Sequence, residues 1–188
     1  MELEKDLKTF LKRAQKPLLV ILGPTASGKT NLSLALAKKF KGESLSTDSR
    51  QIYKGMEIGT AAALPEEQNG IPHHLLSIAT PDKTINLADY NDMALKAIKD
   101  IHKRKGLPML VGGTGLYISS IIEGYEVPRV PPNEKLRAKL FKEAQAKGNE
   151  YLHKKLTKLD PEAAKSIHPN NVRYVIRALE INAAGQNK

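Results

Sequence analysis

The chain of 188 residues contains no cysteine, which excludes disulfides, a thiolate nucleophile and a cysteine-based zinc site; its length fits one α/β domain with a modest addition. Thirty Lys and Arg against twenty Asp and Glu give a net charge of +10, and residues 129–188 hold 13 basic and 6 acidic residues, so +7 falls in the last third. That imbalance is compatible with a polyanionic partner larger than a nucleotide and equally with a solvated, lysine-rich helical surface.

The N-terminal stretch MELEKDLKTFLKRAQK carries three acids and no apolar run, so it matches neither a secretory signal nor an acid-poor transit peptide. No segment is long and apolar enough to span a bilayer, and a cytoplasmic protein without membrane contact is expected. Leu18 to Leu22 is a short apolar run ending in glycine, the pattern of a parallel strand buried on both faces. GPTASGKT follows, and then Lys29 to Phe40 reads as a helix packed on a sheet through Leu32, Leu34, Ala35, Leu36 and Phe40.

Ser44 to Thr47 reads as a second strand with Asp48 at its end. Asn86 to Lys105 is an amphipathic helix whose apolar residues recur every three or four positions, with Gly106 as its stop. LPMLVGGTG supplies another buried strand, and Leu116 to Ile122 begins a further helix. Strands alternating with helices predict a P-loop NTPase-like, doubly wound parallel sheet. Past Val127 the character changes: a proline-rich hinge, PRVPPNEK, precedes helical segments at Glu134 to Lys147, Glu150 to Lys158 and Asn171 to Ala183. Residues 1–127 are read as a phosphate-binding core and 128–188 as a basic helical domain.

Gly23, Gly28, Lys29 and Thr30 fill every fixed position of G-x-x-x-x-G-K-[ST], between a predicted strand and a predicted helix. Backbone N–H groups from such a loop cradle a diphosphate at the positive end of the helix dipole, with Lys29 adding charge and the Thr30 hydroxyl a Mg²⁺ contact. Asp48, at the carboxyl end of a strand, can hold Mg²⁺, take a proton from an acceptor, or cap the following turn. The glycines of VGGTG, with Thr114 among them, allow close backbone approach to a ligand but also suit a tight turn. Adjacent His73 and His74 point to opposite sides of a strand and form no metal site by themselves, so structural roles are expected.

GPTASGKT, STDSRQIYKGMEIGTA, PHHLL, VGGTGLY and IHPNNVRYVIRALEI occur in one order, and in that order the chain resembles the tRNA dimethylallyltransferases from Leu18 to about Gly185. The resemblance implies transfer of a dimethylallyl group to N6 of adenine 37, giving i6A, in tRNAs reading codons that begin with U. The loop (Gly23, Pro24, Thr25, Ala26, Ser27, Gly28, Lys29 and Thr30) would then hold the diphosphate of dimethylallyl diphosphate rather than an ATP to be hydrolysed. Thr25, Lys29, Thr30 and Mg²⁺ would stabilise the leaving group, and Asp48 would be the base. Asp48, Ser49, Arg50 and Gln51 would meet the everted adenine and its neighbours. Thr114, Arg137, Arg173 and Arg177 would contact the anticodon stem-loop, with the helical domain inserted in the core and the protein a monomer.

Three departures stand out. The family's G-T-A-K-P is Gly59, Thr60, Ala61, Ala62 and Ala63 here, and Ser77 replaces the acid that follows the histidine pair. The family pattern also continues past R-A-L-E-I into a C-terminal core segment, so a truncated member with an incomplete site is expected. Three rivals stand beside this reading: an adenylate isopentenyltransferase acting on free nucleotide, a P-loop small-molecule kinase in which Asp48 would serve a hydroxyl acceptor, and a noncatalytic RNA-binding remnant.

Overall fold

Strand residues that alternate between two apolar faces build the first part of the molecule. In the computed structural model, which describes residues 2–185, β1 (Leu19–Leu22), β2 (Gly42–Ser46), β3 (His73–His74) and β4 (Leu107–Gly112) form one parallel sheet in the order β1-β4-β2-β3. Val20, Leu45 and Leu110 enter a core with Tyr90, Ala94 and Ile101 on one side, while Ile21, Met109 and Val111 pack with Leu36 and Ala37 on the other. Two apolar faces require two helical layers. On the first face lie α4 (Leu87–Lys103) and α5 (Gly115–Ile122), and on the second α1 (Glu2–Arg13) and α2 (Lys29–Phe40), which is a doubly wound α/β arrangement.

Helix limits follow local chemistry. Asn86 Oδ1 accepts the N–H groups of Ala88 and Asp89 at 2.8 and 3.1 Å while Asp89 returns a carboxylate oxygen to the Asn86 N–H at 3.1 Å, a reciprocal cap for α4. Its expected stop at Gly106 comes one residue earlier, where Lys105 takes φ 57° and the Gly106 N–H closes on Ile101 O at 3.0 Å. The inward face of α2 also differs from expectation: Ser33, Leu36 and Ala37 are buried and Leu32 is 43% exposed. Ser33 is tolerated inside because its hydroxyl donates to Thr30 O at 2.7 Å. The N-terminal stretch, given no element from its sequence, forms α1; Leu7 and Leu11, one turn apart, join the second core, and Glu4 pairs with Lys39 of α2.

β4 must end in glycine for a steric reason. A Cβ on Gly112 would lie 2.5 Å from Thr47 Oγ1, 2.6 Å from Thr47 C and 2.7 Å from Thr47 O, and the strand ends are pinned there by Thr47 N–H to Val111 O and Thr114 N–H to Thr47 O, both 2.9 Å. Gly112→Ala should therefore destabilise the fold by about 3 kcal/mol, the upper range for overpacking, as measured by denaturant titration; a loss under ~1 kcal/mol would show that the strand ends can part freely.

The chain divides between Glu126 and Val127, and the second unit is helical: α6 (Glu134–Lys147), α7 (Asn149–Leu159), α8 (Pro161–Ser166) and α9 (Val172–Ala183). Leu140, Ala144, Leu152, Leu156, Ala164, Val175 and Leu179 form its core. Helix α8 was not read from the sequence, although Pro161 at its first position and Asp160, whose Oδ1 accepts the Ala163 N–H at 2.9 Å, are the usual start signals.

At one edge of this core a carboxylate is buried. Glu180 is 2% exposed; its Oε1 accepts the Asn133 N–H at 2.6 Å, and Arg137 donates to both oxygens at 2.9 Å. Arg177 donates to Oε2 at 2.5 Å and to Val130 O at 3.0 Å. Burial alone would raise the Glu180 pKa, but the Arg137 fork, the Asn133 N–H and Arg177 overcome it and hold the pKa at about 2.

Candidate active site

β1 delivers the chain into a loop with two left-handed residues, Ala26 at φ 61° and Gly28 at φ 82°. Gly28 stands at the N-cap of α2 and offers no side-chain acceptor, so the first-turn amides of that helix are left for an anion. The Lys29 ammonium donates to Pro24 O at 2.5 Å, folded across the loop it would serve.

The turn after β2 faces this loop. Asp48 Oδ1 accepts the Arg50 N–H at 2.8 Å, so the capping role weighed for it is real; the carboxylate nevertheless borders the same cavity as Lys29. Thr114 ties the turn to the end of β4, its hydroxyl accepting the Ser49 N–H at 3.1 Å. Beneath, Tyr90 donates its hydroxyl to Ser46 O at 3.1 Å and stacks on Tyr117 with ring centroids 3.8 Å apart. Burial, then the neighbouring Tyr53 and Asp48 charges, push the Tyr117 pKa up.

The cavity of about 570 Å³ joins these parts, a size suited to a small ligand. Of the expected residues, Gly23, Pro24, Thr25, Lys29, Asp48 and Thr114 line it. Ala26, Ser27 and Gly28 belong to the loop without lining the cavity, and Thr30 is exposed on the first turn of α2. Leu22 and Gly113 line it too and were not singled out from the sequence; their positions at the carboxyl ends of β1 and β4, where open α/β sheets bind ligands, were the available signal.

The expected RNA contacts divide differently. Arg137 and Arg177 hold an internal partner: both guanidinium groups donate to Glu180, a carboxylate buried in the helical unit. Arg173 is exposed and in no ion pair among the described residues. Gln51 braces a short helix, α3 (Glu57–Thr60): its amide donates to Thr60 O and Ala61 O at 3.1 and 3.2 Å and accepts from Ser46 Oγ at 3.2 Å. Arg50 is exposed beside Asp48.

The histidine pair has structural partners. His73 Nδ1 lies 2.8 Å from Ile71 O, and His74 Nε2 lies 2.7 Å from Glu43 Oε2, a carboxylate that Arg104 also engages at 2.8 Å. Ala62, where the family places lysine, is buried at 5% exposure, and the Ser77 hydroxyl donates to Glu57 Oε1 at 2.8 Å, which anchors α3 from the other side.

Comparison with known proteins bears on what this arrangement serves. A tRNA dimethylallyltransferase of Roseiflexus sp. is 51% identical over 168 residues, 89% of this chain and 55% of the relative; that of Halothermothrix orenii is 53% identical over 164 residues, 87% and 50%. Among solved structures, the tRNA isopentenylpyrophosphate transferase of Bacillus halodurans matches with a TM-score of 0.60 at 48% identity, over 89% of this chain and 55% of its own. A eukaryotic dimethylallyltransferase acting on tRNA matches with a TM-score of 0.74 at 34% identity, over 89% and 41%. The chain spans about half the length of the curated relatives it matches. The IPP transferase family model matches residues 51–188, beginning just past Asp48 and taking in the helical unit. With nearly three quarters of its length inside that match, the chain belongs to the IPP transferase family.

Proposed function

We propose that the cavity between the Gly23–Gly28 loop and the Asp48 turn is the reaction site for transfer of a dimethylallyl group from dimethylallyl diphosphate to N6 of adenine 37, in tRNAs reading codons that begin with U. The observation that carries this reading is that Asp48 borders the same cavity as Lys29 and Thr25. Relatives named tRNA dimethylallyltransferase, and a structural neighbour described as acting on tRNA, support the acceptor.

The chemistry asks two things of the site. As the allylic C–O bond breaks, its electron pair leaves with the diphosphate, and the α2 amides with the Lys29 ammonium and Thr25 are placed to stabilise that charge in advance. The adenine amine is conjugated with the ring and a poor nucleophile. As its nitrogen forms the new C–N bond it must lose a proton, and Asp48, with one oxygen engaged by the Arg50 N–H and the other in no hydrogen bond among the described residues, would take it. No cluster of three His, Asp or Glu residues suited to a metal occurs among the described residues. The Thr30 hydroxyl would be the protein donor to Mg²⁺, which when bound would supply further neutralisation of the leaving group.

Labelled dimethylallyl diphosphate supplied with tRNA, with AMP or alone tests the proposal: label is expected on tRNA. Label on AMP and not on tRNA would overturn it. Lys29→Ala should weaken donor affinity by about 10- to 100-fold, the worth of one charge-assisted contact, and leave tRNA affinity unchanged. Equal weakening of both would show that the loop does not serve the donor alone.

A further inference from the structure

α3 has four residues, too few to stand as a helix on its own, yet it is held from both sides. The Gln51 amide grips its C-terminal carbonyls, and the Glu57 carboxylate accepts the Gly55 N–H at 3.0 Å and the Ser77 hydroxyl at 2.8 Å. What this bracing displays is apolar: Ile58 is 95% exposed, with Met56 at 38% and Ile78, next to Ser77, at 40%. Two cations precede the same segment in the chain, Arg50 and Lys54, both exposed and in no ion pair among the described residues. The platform is continuous with the site through a short chain of contacts. Asp48 N–H reaches Ser46 Oγ at 3.4 Å, Ser46 Oγ donates to Gln51, and Gln51 bonds the end of α3.

From this juxtaposition we infer that Ile58 is an apolar wedge that enters the unpaired loop of the RNA and fills the stack vacated when the acceptor base turns toward Asp48. The inference rests on the reading of the acceptor as RNA. Removing a base from a hairpin loop uncovers the faces of its two neighbours, and apolar side chains inserted at such steps recover part of the lost stacking. Ile suits the task because its branched Cβ restricts χ1, so little rotamer freedom is lost on insertion. Arg50 and Lys54, exposed a few residues before α3, meet phosphates of the same loop. Ile58 is thus a positioning residue: it touches neither the bond broken nor the proton moved.

The test uses an RNA hairpin with 2-aminopurine at the acceptor position, whose fluorescence rises when the base leaves its stack. Binding of the wild-type chain should raise the fluorescence. Ile58→Ala should lose most of that rise and about tenfold in affinity, Ile58→Val, which keeps the branched Cβ, should retain most of both, and the salt dependence of binding should not change because no phosphate contact is lost. Thermal melting of Ile58→Ala should match the wild type, since the side chain buries nothing; a lower melting temperature would mean the residue is packed, and would overturn the inference. An undiminished fluorescence rise with Ile58→Ala, or wild-type binding with no rise, would overturn the wedge and leave the RNA acceptor standing. Failure of the wild-type chain to bind the hairpin would remove both.

Discussion

Asp48→Asn should lower the rate of dimethylallyl transfer to tRNA by about 10²- to 10⁴-fold, the usual worth of a positioned general base, while donor affinity stays within about twofold. The substitution is a clean one for a structural reason. Asp48 holds its turn through Oδ1, which accepts the Arg50 N–H at 2.8 Å, and the carbonyl oxygen of asparagine can accept the same bond. The turn, the Ser49 link to Thr114 and the cavity wall should therefore persist, and only the capacity to take a proton is removed. Single-turnover transfer with pre-bound donor separates the chemical step from binding. A rate within threefold of wild type would assign the base elsewhere, and a parallel collapse of donor affinity would make Asp48 a donor ligand instead.

The second large effect is on stability. Glu180→Ala should cost about 3–5 kcal/mol, because it leaves two arginines and the Asn133 N–H facing a site where their common partner is gone. Asn133 is the N-cap of α6, and Val130, held through Arg177, lies in the proline-rich segment before it, so the damage should centre on the start of α6. Hydrogen exchange should report it there, with little change around the Asp48 turn. Loss under ~1 kcal/mol would show that the arginines find solvent readily. The pH dependence carries the same information. Glu180 has its folded pKa lowered from 4.5 to about 2, so its contribution is present in full above pH 4.5 and is lost as pH falls from there toward 2. Over that range the wild type should lose about 3 kcal/mol that Glu180→Gln does not lose.

These two residues mark the limits of what could be read in one dimension. Asp48 was visible as a carboxylate at a strand end, open to several roles, and the family resemblance singled it and its neighbours in sequence out. Glu180 was invisible, since an isolated glutamate in a helix is ordinarily a solvated one, and two of its partners, Arg137 and Asn133, lie 43 and 47 positions away. The same gap explains why the Arg137 fork on Glu180, a contact 43 positions away, had no local signal. It explains Gln51 too, whose amide faces the backbone of α3 across a loop that periodicity cannot fold.

The main strands and helices and the glycine-rich loop were thus determined by the sequence itself, because each depends on short-range geometry: apolar period and backbone conformation at glycine. Tertiary structure alone decided that the Asp48 turn borders the Lys29 cavity, that two arginines serve a buried carboxylate, and that Ile58 stands exposed on a braced turn. Those outcomes depend on which side chains meet across the fold, and burial, which sets the cost of an unpaired charge or an uncovered methyl group, exists only once the chain has closed on itself.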